Sequence, residues 1–169
     1  MAEWAFWGCL PFLAAAFITD IKSMRIPNWI TVSGLLAGLL AQALMNGWDG
    51  LLKAGVGAAA GFTILLILHF IGAVGAGDVK LFAGIGAWTG MLFTLQVVMY
   101  SVLFGALIGW LIVLKRRETG RRTRKIFNII SGFILLKSSF LLRNKDNELL
   151  KFPFMLAVVP GTICAYLYF

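Results

Sequence analysis

Long apolar runs separated by short polar clusters organise this chain. Six stretches approach the roughly 20 apolar residues that a helix needs to cross a bilayer: 3–19, 29–46, 53–71, 79–95, 97–114 and 152–169. They are joined by Asp20–Asn28, Gly47–Leu52, Gly72–Asp78, a tight turn near Leu95–Gln96, and Lys115–Lys151. A further apolar segment, 126–142, contains Lys137 and has basic residues on both flanks. It is expected to lie along the inner leaflet as an interfacial helix rather than to cross. Glycines recur at four-residue spacing, as Gly34 and Gly38, Gly57 and Gly61, Gly86 and Gly90, Gly105 and Gly109, a pattern that lets helices approach closely in lipid. The pattern predicts an all-α, polytopic membrane helical bundle of about six transmembrane helices plus a cytoplasmic interfacial helix, with 1–169 as a single membrane-embedded domain.

Composition supports the lipid setting. Hydrophobic residues make up 60% and charged residues 13%, against about 45–50% and about 25% in soluble domains. A water-soluble fold of 169 residues could not hide so much apolar surface. The N-terminus lacks a basic region and carries Glu3, so it reads as the first membrane helix and not as a cleavable signal. The net charge of +8 needs no nucleic acid, because cytoplasmic loops collect Lys and Arg. With the N-terminus outside, every basic residue except Lys53 falls on the inner side, which also sends the C-terminus outside. The basic run 115–125 then serves as a topology determinant and a contact for anionic lipid. The tryptophans, Trp4, Trp7, Trp29, Trp48, Trp88 and Trp110, mostly suit interfacial belts.

Candidate chemistry is sparse. Cys9 and Cys164 lie in apolar stretches, no CxxC occurs, and His69 is the one histidine. A zinc-type site lacks ligands, and no metal or other cofactor is expected. His69 reads as an interfacial helix-end residue, or as a group supporting a nearby site. Five of the seven carboxylates fall in termini or polar loops; Asp20 and Asp78 sit instead at the ends of long apolar segments and at one membrane level. Asp20 could simply pair with Lys22 or Arg25, and Asp78 could simply cap the following helix. An ionisable group at membrane depth is nonetheless a functional candidate by default, and two at one depth on different helices strengthen the case. In "GAGD", Gly75 and Gly77 precede Asp78; glycine there permits close backbone approach. Two neighbouring carboxylates share a proton, so one acts as base and the other as acid. Such a pair can activate water against a peptide carbonyl.

"DIKSMRIPNWIT" from Asp20 and "GAGDVKLFAGIGAW" around Asp78, 58 residues apart, closely resemble the type IV prepilin peptidases, membrane aspartic peptidases of the GxGD type. "FPFMLAVVPG" (152–161) is similar to that family's final segment. The resemblance implies cleavage of a short basic leader from prepilins or pseudopilins at the cytoplasmic face of the inner membrane. Asp20 and Asp78 would be catalytic, and Gly75 and Gly77 would shape the second site. Lys80, Ile26, Pro27 and Asn28 would surround it, with Lys80 also explicable as a snorkelling anchor. Larger family members add a cytoplasmic segment with paired cysteines and N-methylate the product. The chain resembles the short form, for which methyl transfer is not expected.

Three other readings compete, one of them a structural membrane adaptor without chemistry, which would tolerate loss of both carboxylates. A presenilin-like protease shares GxGD, but its first aspartate usually follows a tyrosine, whereas Thr19 precedes Asp20 here. A proton-coupled transporter would use the same carboxylates for flux, although inverted repeats typical of that class are not visible.

Overall fold

The computed structural model describes residues 3–115 and 153–168; the helix expected at 126–142 lies outside them. Five helices account for nearly all of the described chain: α1 (Glu3–Ser23), α2 (Asn28–Phe70), α3 (Ala76–Thr89), α4 (Met91–Lys115) and α5 (Met155–Tyr168). No strand occurs among the described residues. The chain divides after Gly105 into two compact units, the second beginning at Ala106 within α4. The core and the candidate site belong to the first.

Among the described residues, three helices are long and apolar enough to cross a membrane: α1, α2 and residues 91–112 of α4. Their outward faces carry large apolar side chains, among them Trp7, Leu44, Trp48, Leu92 and Trp110, as contact with lipid tails requires. Trp88 departs from the expected belt. It is only partly exposed, its ring fills the space beside Gly8 and Gly38, and its indole Nε1–H donates to the Gly34 carbonyl at 3.0 Å.

The expected loop at Gly47–Leu52 is almost absent. Helix runs up to Gly47 and resumes directly after it, with only Gly47 outside helical geometry (φ 60°, ψ −142°). The chain nevertheless reverses there, because Gly50 lies against the backbone carbonyl of Gln42 and the Cβ of Asn46. Along α3 the first limb advances in parallel, with Gly84 beside Leu35 and Gly38 beside Ala87 and Trp88. The second limb runs back, with Gly57 against Gly86 and Gly61 against Phe82. At about 1.5 Å per residue, limbs 28–46 and 48–70 extend roughly 28 and 35 Å, comparable with the roughly 30 Å hydrocarbon core.

Helix α3 lies at the centre of this arrangement. Every residue from Asp78 to Ala87 except Lys80 is buried, so the helix is enclosed on all sides by α1 and the two limbs of α2. Lipid tails are as apolar as these side chains, so close fit rather than water exclusion holds such helices together. The fit is made by glycine. A Cβ at Gly57 would collide with the Gly86 carbonyl, one at Gly86 with the Gly57 backbone, and one at Gly61 with the Phe82 carbonyl. Three of the four predicted glycine pairs therefore lie in helix contacts. The fourth does so weakly: a Cβ at Gly105 makes ordinary contact with Phe154 and Ala157, and one at Gly109 meets nothing among the described residues.

The turn anticipated near Leu95–Gln96 is instead at Gly90, whose φ of 82° is the left-handed geometry that glycine tolerates. Uniform apolarity across 79–114 hid the break. At 14 residues, α3 spans about 21 Å and ends inside the bundle, where its last carbonyls have no water to bond. Polar side chains serve them. Gln42 Nε2 donates to the Trp88 carbonyl at 2.6 Å, Thr89 Oγ1 to Ile85 at 2.8 Å, and Thr94 Oγ1 to Gly90 at 2.7 Å.

Helix α5 packs on α1 and α4. Phe6 stacks on Tyr166 with ring centroids 4.1 Å apart and meets Phe93 edge-on at 6.2 Å. Gly161 lies close against the Ser101 backbone. Cys9 is a free, buried core residue and Cys164 is free and partly exposed. No disulfide joins them.

Candidate active site

Five helix ends converge on one end of the bundle: the end of α1, both ends of α2, and the starts of α3 and α5. Helix α1 continues through Asp20 to Ser23, so Asp20 occupies its last turns rather than a loop. The chain then turns through Met24, held at φ 49°, to Pro27. Pro27 has extended geometry (φ −63°, ψ 142°) and caps the start of α2. A proline there suits a boundary, since its ring fixes φ and offers no N–H to the preceding helix.

Asp78 lies in the first turn of α3, three residues after the cap. The cap is therefore Gly75 and not Asp78, the residue that the sequence offered for that place; Asp78 supports the cap from the first turn. Asp78 Oδ2 accepts the Gly75 N–H at 3.0 Å, and Asp78 N–H donates to the Gly75 carbonyl at 3.1 Å. A carboxylate at this position faces the positive end of the helix dipole. Both glycines of the motif have a steric reason. A Cβ at position 75 would come 3.1 Å from Asp78 Oδ2, and one at 77 would come 3.3 Å from the Ile26 Cβ.

The residues singled out from the sequence therefore meet in space. Ile26 packs on Gly77. Lys80 Nζ donates to Asn28 Oδ1 at 2.9 Å, tying the start of α3 to the start of α2 at an exposed edge. Asp20 and Asp78 are both buried, 6% and 7% exposed, and Asp20 lies within electrostatic reach of Asp78. Neither has a cationic partner at salt-bridge distance among the described residues, so the pairing of Asp20 with Lys22 or Arg25 is not formed.

Two further groups were less visible. His69 ends the second limb of α2, and its Nδ1 contacts the Val74 carbonyl at 2.8 Å. That oxygen can only accept, so Nδ1 carries the proton. The bond holds the turn leading to Gly75, and His69 also interacts electrostatically with Asp78. Its ring therefore secures the turn before the motif rather than standing free at a helix end. The second is the Met155 N–H, which donates to Asp20 Oδ2 at 3.0 Å. No local pattern links residues 135 apart; the only hint was the similarity of the FPF segment to a known family. Each aspartate thus accepts one backbone N–H at a helix start, and its other oxygen makes no protein hydrogen bond among the described residues. Two buried carboxyls in electrostatic contact can divide acid and base roles between them.

The sequence model of the Type IV leader peptidase family matches residues 7–110, a stretch that includes both aspartates. The chain belongs to that family. A prepilin leader peptidase/N-methyltransferase of Bacillus subtilis (strain 168) is 34% identical over 161 residues, covering 94% of this chain and 53% of the relative. Proteins of the same name from Pectobacterium carotovorum subsp. carotovorum and Myxococcus xanthus (strain DK1622) are 35% and 36% identical over 115 residues. Each alignment covers 64% of this chain, and 41% and 34% of the relative respectively. The chain spans about half the length of the first of these relatives and less of the others. No solved structure matches it. Family membership and the apolar helices together make this an integral membrane protein.

Proposed function

We propose that this chain is an aspartic endopeptidase that removes the basic leader from type IV prepilins or prepilin-like proteins at the cytoplasmic face of the membrane. The supporting observation is the pair of buried carboxyls, Asp20 and Asp78, brought from separate helices to one end of the bundle within electrostatic reach of each other. In this mechanism the ionised member of the pair takes a proton from water as its oxygen attacks the scissile carbonyl carbon. The protonated member donates to the carbonyl oxygen, giving a neutral tetrahedral diol. Collapse returns that proton and delivers the other to the departing nitrogen, breaking the C–N bond and restoring one shared proton on the pair. No covalent enzyme intermediate is required.

Charge asymmetry supports an inner site. If Lys22, Arg25, Lys80 and the 115–151 segment lie inside, as that asymmetry favours, the end carrying Asp20 and Asp78 faces the cytoplasm. A substrate with a basic leader followed by an apolar helix would obey the same rule, setting its cut site at the depth of the pair. The proposal covers leader cleavage and not the methyl transfer in the relatives' names.

Co-expression with a prepilin tests it. Asp20→Asn and Asp78→Asn should each reduce leader removal by roughly a thousandfold or more, as losing one member of a catalytic unit does, while membrane insertion is kept. Asparagine can still accept the backbone N–H through its carbonyl oxygen, so each helix start stays capped. Continued cutting in both variants would sink the acid–base pair.

A further inference from the structure

The start of α5 has a bonding problem that α1 solves. Leu156 N–H donates to Pro153, and Ala157 and Val158 N–H donate to Phe154. The Met155 N–H has no backbone acceptor among the described residues, and Met155 is fully buried. Left unpaired, it would be an exposed dipole in an apolar interior, which is costly. Asp20 Oδ2 accepts it at 3.0 Å, in a contact buried on both sides. A single hydrogen bond in the right direction can do more than cap a helix. It fixes one oxygen of a carboxyl that would otherwise rotate about its terminal torsion, a broad and weakly restricted one. Asp20 otherwise makes no side-chain hydrogen bond among the described residues, so this contact is what selects its orientation.

We propose that Met155 is a positioning residue acting through its backbone N–H: it locks Asp20 Oδ2 so that Oδ1 is the oxygen presented to water and to Asp78. The arrangement mirrors the Gly75 N–H on Asp78 Oδ2, so each carboxyl has one oxygen held by a helix start and one left for chemistry. The inference rests on the acid–base reading of Asp20 and Asp78 and assigns α5 a part in it. The side chain of Met155 serves the core; the function belongs to the amide.

The test replaces the amide and keeps the side chain. Incorporating the α-hydroxy analogue of methionine at position 155, by nonsense suppression in the full chain, turns that N–H into an ester oxygen. Leader cleavage of a purified prepilin is then followed as kcat and KM. Positioning predicts kcat lower by roughly ten- to a hundredfold, the span of a charge-assisted hydrogen bond, with KM within about twofold. Met155→Pro removes the same N–H at the first helical position, where proline is tolerated, and should follow the ester. Met155→Leu keeps the N–H and most of the bulk and should retain near-parental kcat. A folded ester protein with unchanged kcat overturns the inference, as does a Met155→Leu loss equal to the ester's. If the proline variant fails to fold, the ester alone decides. An inactive Asp20→Asn beside a fully active ester sinks only the positioning role, whereas an active Asp20→Asn sinks the acid–base reading beneath it.

Discussion

At residue scale the site is defined by what glycine omits. A Cβ at position 75 would press within 3.1 Å of Asp78 Oδ2, tighter than ordinary van der Waals contact. Gly75 has φ −76° and ψ 154°, geometry open to any residue, so the constraint is proximity to the carboxyl and not backbone strain. Gly75→Ala should therefore insert and fold normally yet cleave about tenfold or more slowly, since small misplacements of a reacting group are expensive. Gly55→Ala is the matched control: nothing among the described residues lies within 4 Å of its added carbon, so its rate should equal the parent's and its stability should not fall, since alanine favours a helix interior over glycine. Quantifying processed and unprocessed prepilin for the two variants checks both.

At the scale of elements, α3 is short and enclosed, and both properties carry a measurable cost when disturbed. Gly86→Ala drives a methyl group into the Gly57 backbone, where nothing flexible can yield. Overpacking of this kind should destabilise the bundle by about 1–3 kcal/mol, read as a lower melting temperature in detergent. Gln42→Leu acts by another route. It strips the Trp88 carbonyl of its donor at 2.6 Å and leaves a helix end unpaired in an apolar interior, a loss of about 1–3 kcal/mol. Hydrogen exchange should then increase near residues 85–90, because the C-terminal turn of α3 opens more often. The two variants probe opposite faults, excess volume and missing polarity.

Across the whole molecule, predicted topology can be read directly. A reporter domain inserted after Gly47 should be accessible from outside, and one inserted in the 72–75 turn from inside. Both in one compartment would contradict the charge asymmetry. How much of this was legible beforehand follows the physics of each signal. The long apolar runs marked α1 and both limbs of α2 because span length is written in composition. The GxGD turn and Asp20 were legible because charge is conspicuous among apolar neighbours. The α3–α4 break was not, since Gly90 lies in a stretch with no charge for 34 residues, 81–114, and nothing local separates a turn glycine from a packing glycine. Gln42 and Met155 escaped for a different reason: one serves a carbonyl 46 positions away and the other a carboxylate 135 positions away. Only the fold brings such partners together.

The Asp20–Met155 contact also has a history in time. During synthesis Asp20 leaves the ribosome 135 residues ahead of the amide it holds. At translation rates of about 5–20 residues per second, that interval is on the order of ten seconds. Throughout it, the early helices can enter the membrane with one carboxyl still unsecured. Helix α5 then does two things on arrival: it buries its own first turn and it gives Asp20 a fixed bearing. On the proposed acid–base reading, the packing of α5 and the readiness of Asp20 thus coincide in one event.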